Sequence, residues 1–155
     1  EYAGGFDEIS SNDPFRDGKG SIYEGGHRVP AIAYWPDTIA PARTTEETTM
    51  TMDLFPTCLS LAGVDAPEDL HLDGVDLRSV MLEEMPLSER SLFWRLRRKR
   101  AVRKGEWKLC AQGSERELYN LSEDRSETED LSHANPKILE ALEADLLHWE
   151  QEVGR

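Results

Sequence analysis

The residues best placed to do chemistry lie in one stretch, Gly18-Lys19-Gly20-Ser21-Ile22-Tyr23-Glu24-Gly25-Gly26-His27-Arg28-Val29-Pro30. Four glycines bracket one lysine, one glutamate, one histidine and one arginine. Glycine lets the backbone take a positive φ or approach a ligand closely. Lys19 is therefore a cation on a chain that can bend sharply around an anion. By spacing alone, a polar loop feeding a buried strand fits the same residues.

Other reactive side chains carry weaker patterns. His27, His71, His133 and His148 show no metal-ligand spacing. Cys58 and Cys110 sit in apolar surroundings with no CxxC pair, which reads as buried free thiols, with a disulfide as the alternative. Asp7, Glu8, Asp13 and Asp17 lack the alternating spacing of a calcium loop, so a solvated loop is expected there. Asp73 and Asp76 could share a metal, but a turn at Asp73-Gly74 and the N-cap of a short helix over 77–82 account for them.

The string from Gly18 through Trp35-Pro36, Gly-Lys-Gly-Ser-x-x-Glu-Gly-Gly-x-Arg-Val-Pro-Ala-Ile-x-x-Trp-Pro, resembles a signature in the C-terminal half of the sulfatases. These are the arylsulfatase-like members of the alkaline phosphatase superfamily. The resemblance extends over residues 16–152. It includes Asp53-Leu54-Phe55-Pro56-Thr57, Leu72-Asp73-Gly74-Val75-Asp76-Leu77, Ala101-Val102-Arg103 with Trp107-Lys108-Leu109, and Glu117-Leu118-Tyr119-Asn120-Leu121. It implies that Lys19 contacts the sulfate ester, a role that suits a compact ammonium with three donors. Glu24 and Arg28 are expected to hold the glycine loop through charge-assisted hydrogen bonds. His27 either lines the pocket rim or is a satisfied structural histidine.

The resemblance also implies a formylglycine nucleophile and a calcium ion for the parent enzyme, neither supplied by this segment. The family makes formylglycine in a Cys/Ser-x-Pro-x-Arg motif, but Cys58 precedes Leu-Ser-Leu and Cys110 precedes Ala-Gln-Gly. An Asp-Asn calcium pair is expected upstream of Glu1. The chain opens without methionine in a glycine-containing loop, as expected of a piece of a longer sulfatase. That parent is expected to be secreted, periplasmic or lysosomal-type, with this piece inactive alone.

The elements that must position these groups read as an α/β fragment. Residues 1–82 are expected to be the edge of an alkaline-phosphatase-like catalytic domain. Residues 83–155 are expected to be a small antiparallel sheet packed on a C-terminal helix. Val29 to Trp35 reads as a strand buried on both sides, because its apolar residues do not alternate with polar ones. Such a strand in a severed sheet would expose an apolar edge and invite self-association. Residues 50–62 are helical in pattern, with Asp53 as cap, Gly63 as stop, and Met52, Phe55 and Leu59 as core. From Arg90 the period becomes two over 92–96, Ala101-Val102 leads through a glycine turn at Gly105 into Trp107, Leu109 and Ala111 as a hairpin, and a further strand over 117–121 follows the Gly113-Ser114 loop. Asn135-Pro136 opens a helix whose apolar stripe is Ile138, Leu139, Leu142, Leu146, Trp149 and Val153. The acidic stretch 123–130 before it is expected to be solvated.

Eighteen Lys and Arg against 31 Asp and Glu give a net charge of −13, which disfavours bulk attraction to nucleic acid or anionic membrane. Seven of the 18 basic residues nonetheless fall between Arg95 and Lys104. With Trp94 and Trp107 nearby, that hairpin supports a second reading, a module binding a polyanion such as a sulfated glycan. A solvated basic face on a hairpin is the plainer account. A third reading keeps the fold and replaces sulfate with a phosphate ester.

Overall fold

A computed structural model describes residues 11–67 and 69–154. The chain divides at Val29/Pro30 and again at Ser88/Glu89, and the segments before and after the excursion form one compact unit.

That unit is built on a four-stranded antiparallel meander in the order β1 (Ser91–Leu96), β2 (Lys99–Lys104), β3 (Trp107–Gln112), β4 (Glu115–Asn120). Two-residue loops join the strands, and such loops need a positive φ to match strand twist. Gly105 and Gly113 supply it at φ 56° and 60°, while Arg97 adopts φ 57° without glycine's freedom. The pairing register places Phe93, Val102, Leu109 and Leu118 in one cross-strand row. That row faces α4 (Pro136–Val153), whose Leu142 and Leu146 are buried against it. Phe93 stacks on Trp149 with ring centroids 5.0 Å apart. The expected stripe is therefore seated, apart from Val153, which is exposed at the end of the helix.

The opposite face of the sheet is buried as well. Ile22, Tyr23 and their neighbours pack on Trp94, Ala101, Cys110 and Tyr119. The glycine-rich segment thus lies on the small sheet, held there by apolar contact and, as described below, by buried charge. Within it, α1 (Glu24–His27) is a single helical turn.

The second unit holds a 3-10 turn (Thr51–Asp53), α2 (Leu54–Ala62) and α3 (Arg78–Glu83). Gly63 closes α2 in the left-handed region at φ 68°, as the sequence predicts. The unit's most deeply buried residues, Asp53 and Thr57, are polar, and Leu77 and Val80 are buried as well. Asp53 accepts from the amides of Met50 (2.7 Å) and Val75 (2.9 Å), and Thr57 Oγ1 donates to the Asp53 carbonyl while accepting from the Leu77 amide. Met52, Leu54 and Phe55 are exposed, contrary to the core role expected of Met52 and Phe55. Two short helices cannot cover an apolar stripe on every side. Asp76 accepts from the Arg78 amide at 2.8 Å from two residues ahead of α3, whose N-cap position is Leu77 rather than Asp76.

A larger correction concerns residues 29–35, which form no strand and lie open, with Ile32 at 95% exposure and Tyr34 at 86%. A strand exists only through a hydrogen-bonded neighbour, and none of the described residues pairs with this run. Both cysteines are free thiols, Cys110 buried as expected but Cys58 exposed on α2.

Candidate functional site

The glycine stretch folds as a turn mounted on a helical turn. The Ser21 amide donates to the Gly18 carbonyl (3.1 Å), so Gly18 to Ser21 form a β-turn with Lys19 second and Gly20 third. Gly20 takes φ 93°, a value that a third turn position of this kind requires and other residues resist. Lys19 stands exposed at the tip. Ser21 Oγ donates to Asp17 (2.9 Å) and accepts from the Tyr23 amide (3.2 Å), closing the base of the turn.

The turn rests directly on the backbone of α1. A Cβ on Gly25 would lie 2.2 Å from the Asp17 carbonyl oxygen, and one on Gly26 2.2 Å from that of Ser21. The consecutive glycines are there for close approach, and the Gly25 amide uses it to reach the Arg16 carbonyl at 2.9 Å.

Beneath α1 lies a cluster of buried charge. Lys108, on β3, is fully buried, with Nζ 2.9 Å from Glu24 Oε1 and 2.8 Å from Glu127 Oε1. Glu127 Oε2 accepts from the Glu24 amide at 2.6 Å. Glu24 Oε2 also faces Arg28 Nη1 (3.3 Å) and Arg103 Nη1 (3.6 Å). Burial opposes ionisation of Glu24, but Lys108, with His27 and Arg103, outweighs it and holds the carboxyl below its ordinary range. At Glu127 burial prevails over the same ammonium and the carboxyl is pushed up. Glu24, flanked by three cations, is the more firmly ionised of the two.

Glu127 corrects the expectation that residues 123–130 are simply solvated. It is fully buried, and its backbone sits in the left-handed region at φ 54°. Lys108 is the residue that sequence reasoning missed, since alternation puts it opposite Leu109, on a face assumed to be wet. The signal was present in Trp94, Ala101, Cys110 and Tyr119, which share its face and mark a sheet covered on both sides.

His27 is half-buried. Its ring stacks on Trp94 at 4.3 Å, and Nε2 lies 3.2 Å from both Lys108 Nζ and the Ile22 carbonyl oxygen. Burial and the adjacent ammonium lower its pKa to about 4, so the ring is neutral near pH 7. Arg28, expected to brace the loop, pairs with Glu24 and also lies over the Phe15 ring. A second brace comes from Arg16, which donates to Tyr119 Oη (2.8 Å) and the Glu127 carbonyl (3.0 Å) and lies 3.8 Å over the Tyr23 ring.

Three of the seven basic residues of the hairpin contact α4. Arg100 pairs with Glu150 at 2.8 Å, Lys104 with Asp145 at 3.2 Å, and Arg95 lies over Trp149. Arg97 and Arg98, at the hairpin tip, are exposed.

The groups that calcium and formylglycine would need do not fit the described residues. No cluster of three His, Cys, Asp or Glu side chains among them could hold a metal. Cys58 lies within helix α2. Cys110 is buried on β3, where burial pushes its thiol up to about 12. No helix among the described residues is long and apolar enough to cross a membrane.

Residues 17–152 match a family model described as N-sulphoglucosamine sulphohydrolase, C-terminal. The chain is 42% identical over 101 residues to N-acetylgalactosamine-6-sulfatase of Mus musculus, covering 65% of this chain and 19% of that protein. It is 36% identical over 160 residues to arylsulfatase A of Homo sapiens, covering 82% of this chain and 31% of that protein. A solved structure of Ps i-CgsB in complex with k-i-k-neocarrahexaose superposes with a TM-score of 0.83 at 29% identity, over 90% of this chain and 32% of that one. The chain thus spans between about a fifth and a third of these three relatives.

Proposed function

The chain belongs to the sulfatase family through the C-terminal family model that residues 17–152 match, and on that premise we propose that it is part of a sulfuric ester hydrolase in which Lys19 holds the sulfate group. The observation that carries this reading is the turn itself. It presents one exposed ammonium between two glycines, on a base fixed by Ser21, Asp17 and the backbone of α1. An ammonium there offsets negative charge on the sulfuryl oxygens as the S–O bond breaks, and donates without needing a particular rotamer. The nucleophile and the calcium ligands lie outside the described residues, so this chain contributes the sulfate contact and the C-terminal subdomain and turns over nothing alone. Residues 1–82 fall to the edge of the catalytic domain and 83–155 to the C-terminal subdomain in the same proposal, and a sulfate-ester substrate is the partner.

The test is turnover of an aryl sulfate and of the corresponding aryl phosphate by the full-length gene product, with the 155-residue chain as a control. The proposal expects hydrolysis of the sulfate by the full-length protein and none by the chain alone. A preference for the phosphate would favour the phosphate-ester reading. Sulfate turnover by the isolated chain would overturn the division of labour.

A further inference from the structure

We propose that Lys108, a residue of the sheet, is the positioning residue for Lys19, acting by bridging Glu24 and Glu127 beneath the turn. The inference rests on the sulfate-contact reading of Lys19 for its functional meaning, but on geometry for its content.

Helix α1 cannot organise itself. It is one turn of Glu-Gly-Gly-His, containing two residues of low helix propensity, with no side-chain cap at Tyr23. Its shape is imposed from below. The first amide, that of Glu24, donates to Glu127 Oε2, and the Glu24 side chain is held by Lys108. The end of the Gly18–Ser21 turn is in turn packed on Gly26, and the Arg16-Asp17 backbone leading into it on Gly25, with no room for a methyl group at either. Displacing α1 therefore displaces the base on which Lys19 stands.

Lys108 is equipped for this and for nothing else. Its Nζ lies 2.9 Å from Glu24 Oε1, 2.8 Å from Glu127 Oε1 and 3.2 Å from His27 Nε2, and its side chain has no exposure left for a ligand. For stability alone such a cluster is a poor choice, because buried ion pairs are often matched or bettered by apolar residues of similar volume. Glu127 is also held at a positive φ, a conformation unfavourable for any residue with a Cβ. A strained backbone and two desolvated carboxylates around one ammonium make sense as a device that fixes orientation.

The experiment compares Lys108→Met, Glu127→Gln and Lys19→Ala. Amide hydrogen exchange of the 155-residue chain reads the turn through Ser21, whose amide bonds Gly18. Lys108→Met should speed exchange at Ser21 and Gly25 by at least tenfold while the β2–β3 amides change by less than threefold. Glu127→Gln, nearly isosteric, should speed Ser21 by a smaller factor and serves if Lys108→Met does not fold. In the full-length protein, Lys108→Met should lower kcat/KM on an aryl sulfate by at least tenfold, yet add less than threefold when Lys19 is already alanine. Unchanged exchange at Ser21, uniform acceleration across the sheet, or multiplicative losses in the double variant would overturn the proposal. If Lys19→Ala leaves turnover intact while Ser21 still exchanges faster in Lys108→Met, the sulfate contact fails and the support of the turn stands.

Discussion

Removing the Glu127 carboxylate tests whether the acidic loop before α4 is part of the interior. In Glu127→Ala, Lys108 Nζ loses a partner at 2.8 Å and the Glu24 amide loses its acceptor at 2.6 Å. Breaking a buried ion pair from one side typically costs about 3–5 kcal/mol. The lower end applies, because Lys108 keeps Glu24 at 2.9 Å, so about 3 kcal/mol is expected. A solvated glutamate, by contrast, is worth within about 0.5 kcal/mol. With a urea slope of roughly 2 kcal/mol per molar, the midpoint followed by circular dichroism should fall by about 1.5 M. A shift below about 0.3 M, at unchanged slope, would show the side chain to be dispensable and refute the buried cluster.

Three further outcomes follow from the same geometry. His27 has a folded pKa of about 4 against 6.5 unperturbed. A depressed folded pKa gives stability that is present above about pH 6.5 and lost as pH falls towards 4, amounting to roughly 3 kcal/mol at about 1.4 kcal/mol per pH unit. The groups facing His27 are Lys108, Glu24 and Arg103, so the quantity to measure is the difference between the wild type and His27→Gln across that window. Parallel pH curves would contradict a neutral buried ring. Gly26→Ala places a Cβ 2.2 Å from the Ser21 carbonyl oxygen and should destabilise by about 1–3 kcal/mol, as overpacking does; a midpoint equal to the wild type would mean that the turn does not press on α1. The open run from Val29 to Trp35 should make the chain associate as its concentration rises, and sedimentation showing one monomeric species at all concentrations would exclude this.

The readability of the sequence varied with how local each determinant was. The meander and α4 were legible because their signals are short-range: period-two apolar residues in 91–120, glycines at 105 and 113, and a stripe running from Ile138 to Trp149. Residues 29–35 misled because an apolar run of strand length says nothing about whether a neighbouring strand is there to pair with it. The site was half legible. The motif named Lys19, Glu24, His27 and Arg28, but not what lies beneath them. Lys108 and Glu127 stand 84 and 103 residues from Glu24 along the chain, and no local pattern couples positions so far apart. Glu127 in particular sits in an acidic loop whose composition suggests solvent, yet it is fully buried, on a left-handed backbone.

The central claim is that Lys19 contacts the sulfate group, and the most direct measurement is kcat/KM of the Lys19→Ala variant of the full-length protein on an aryl sulfate. Losing a preorganised charge at a developing oxyanion typically removes about 100- to 1,000-fold in rate, and a loss of that size, with folding intact, is the predicted result. A variant within threefold of the wild type would contradict the account and leave the glycine-bracketed lysine as an ordinary turn residue.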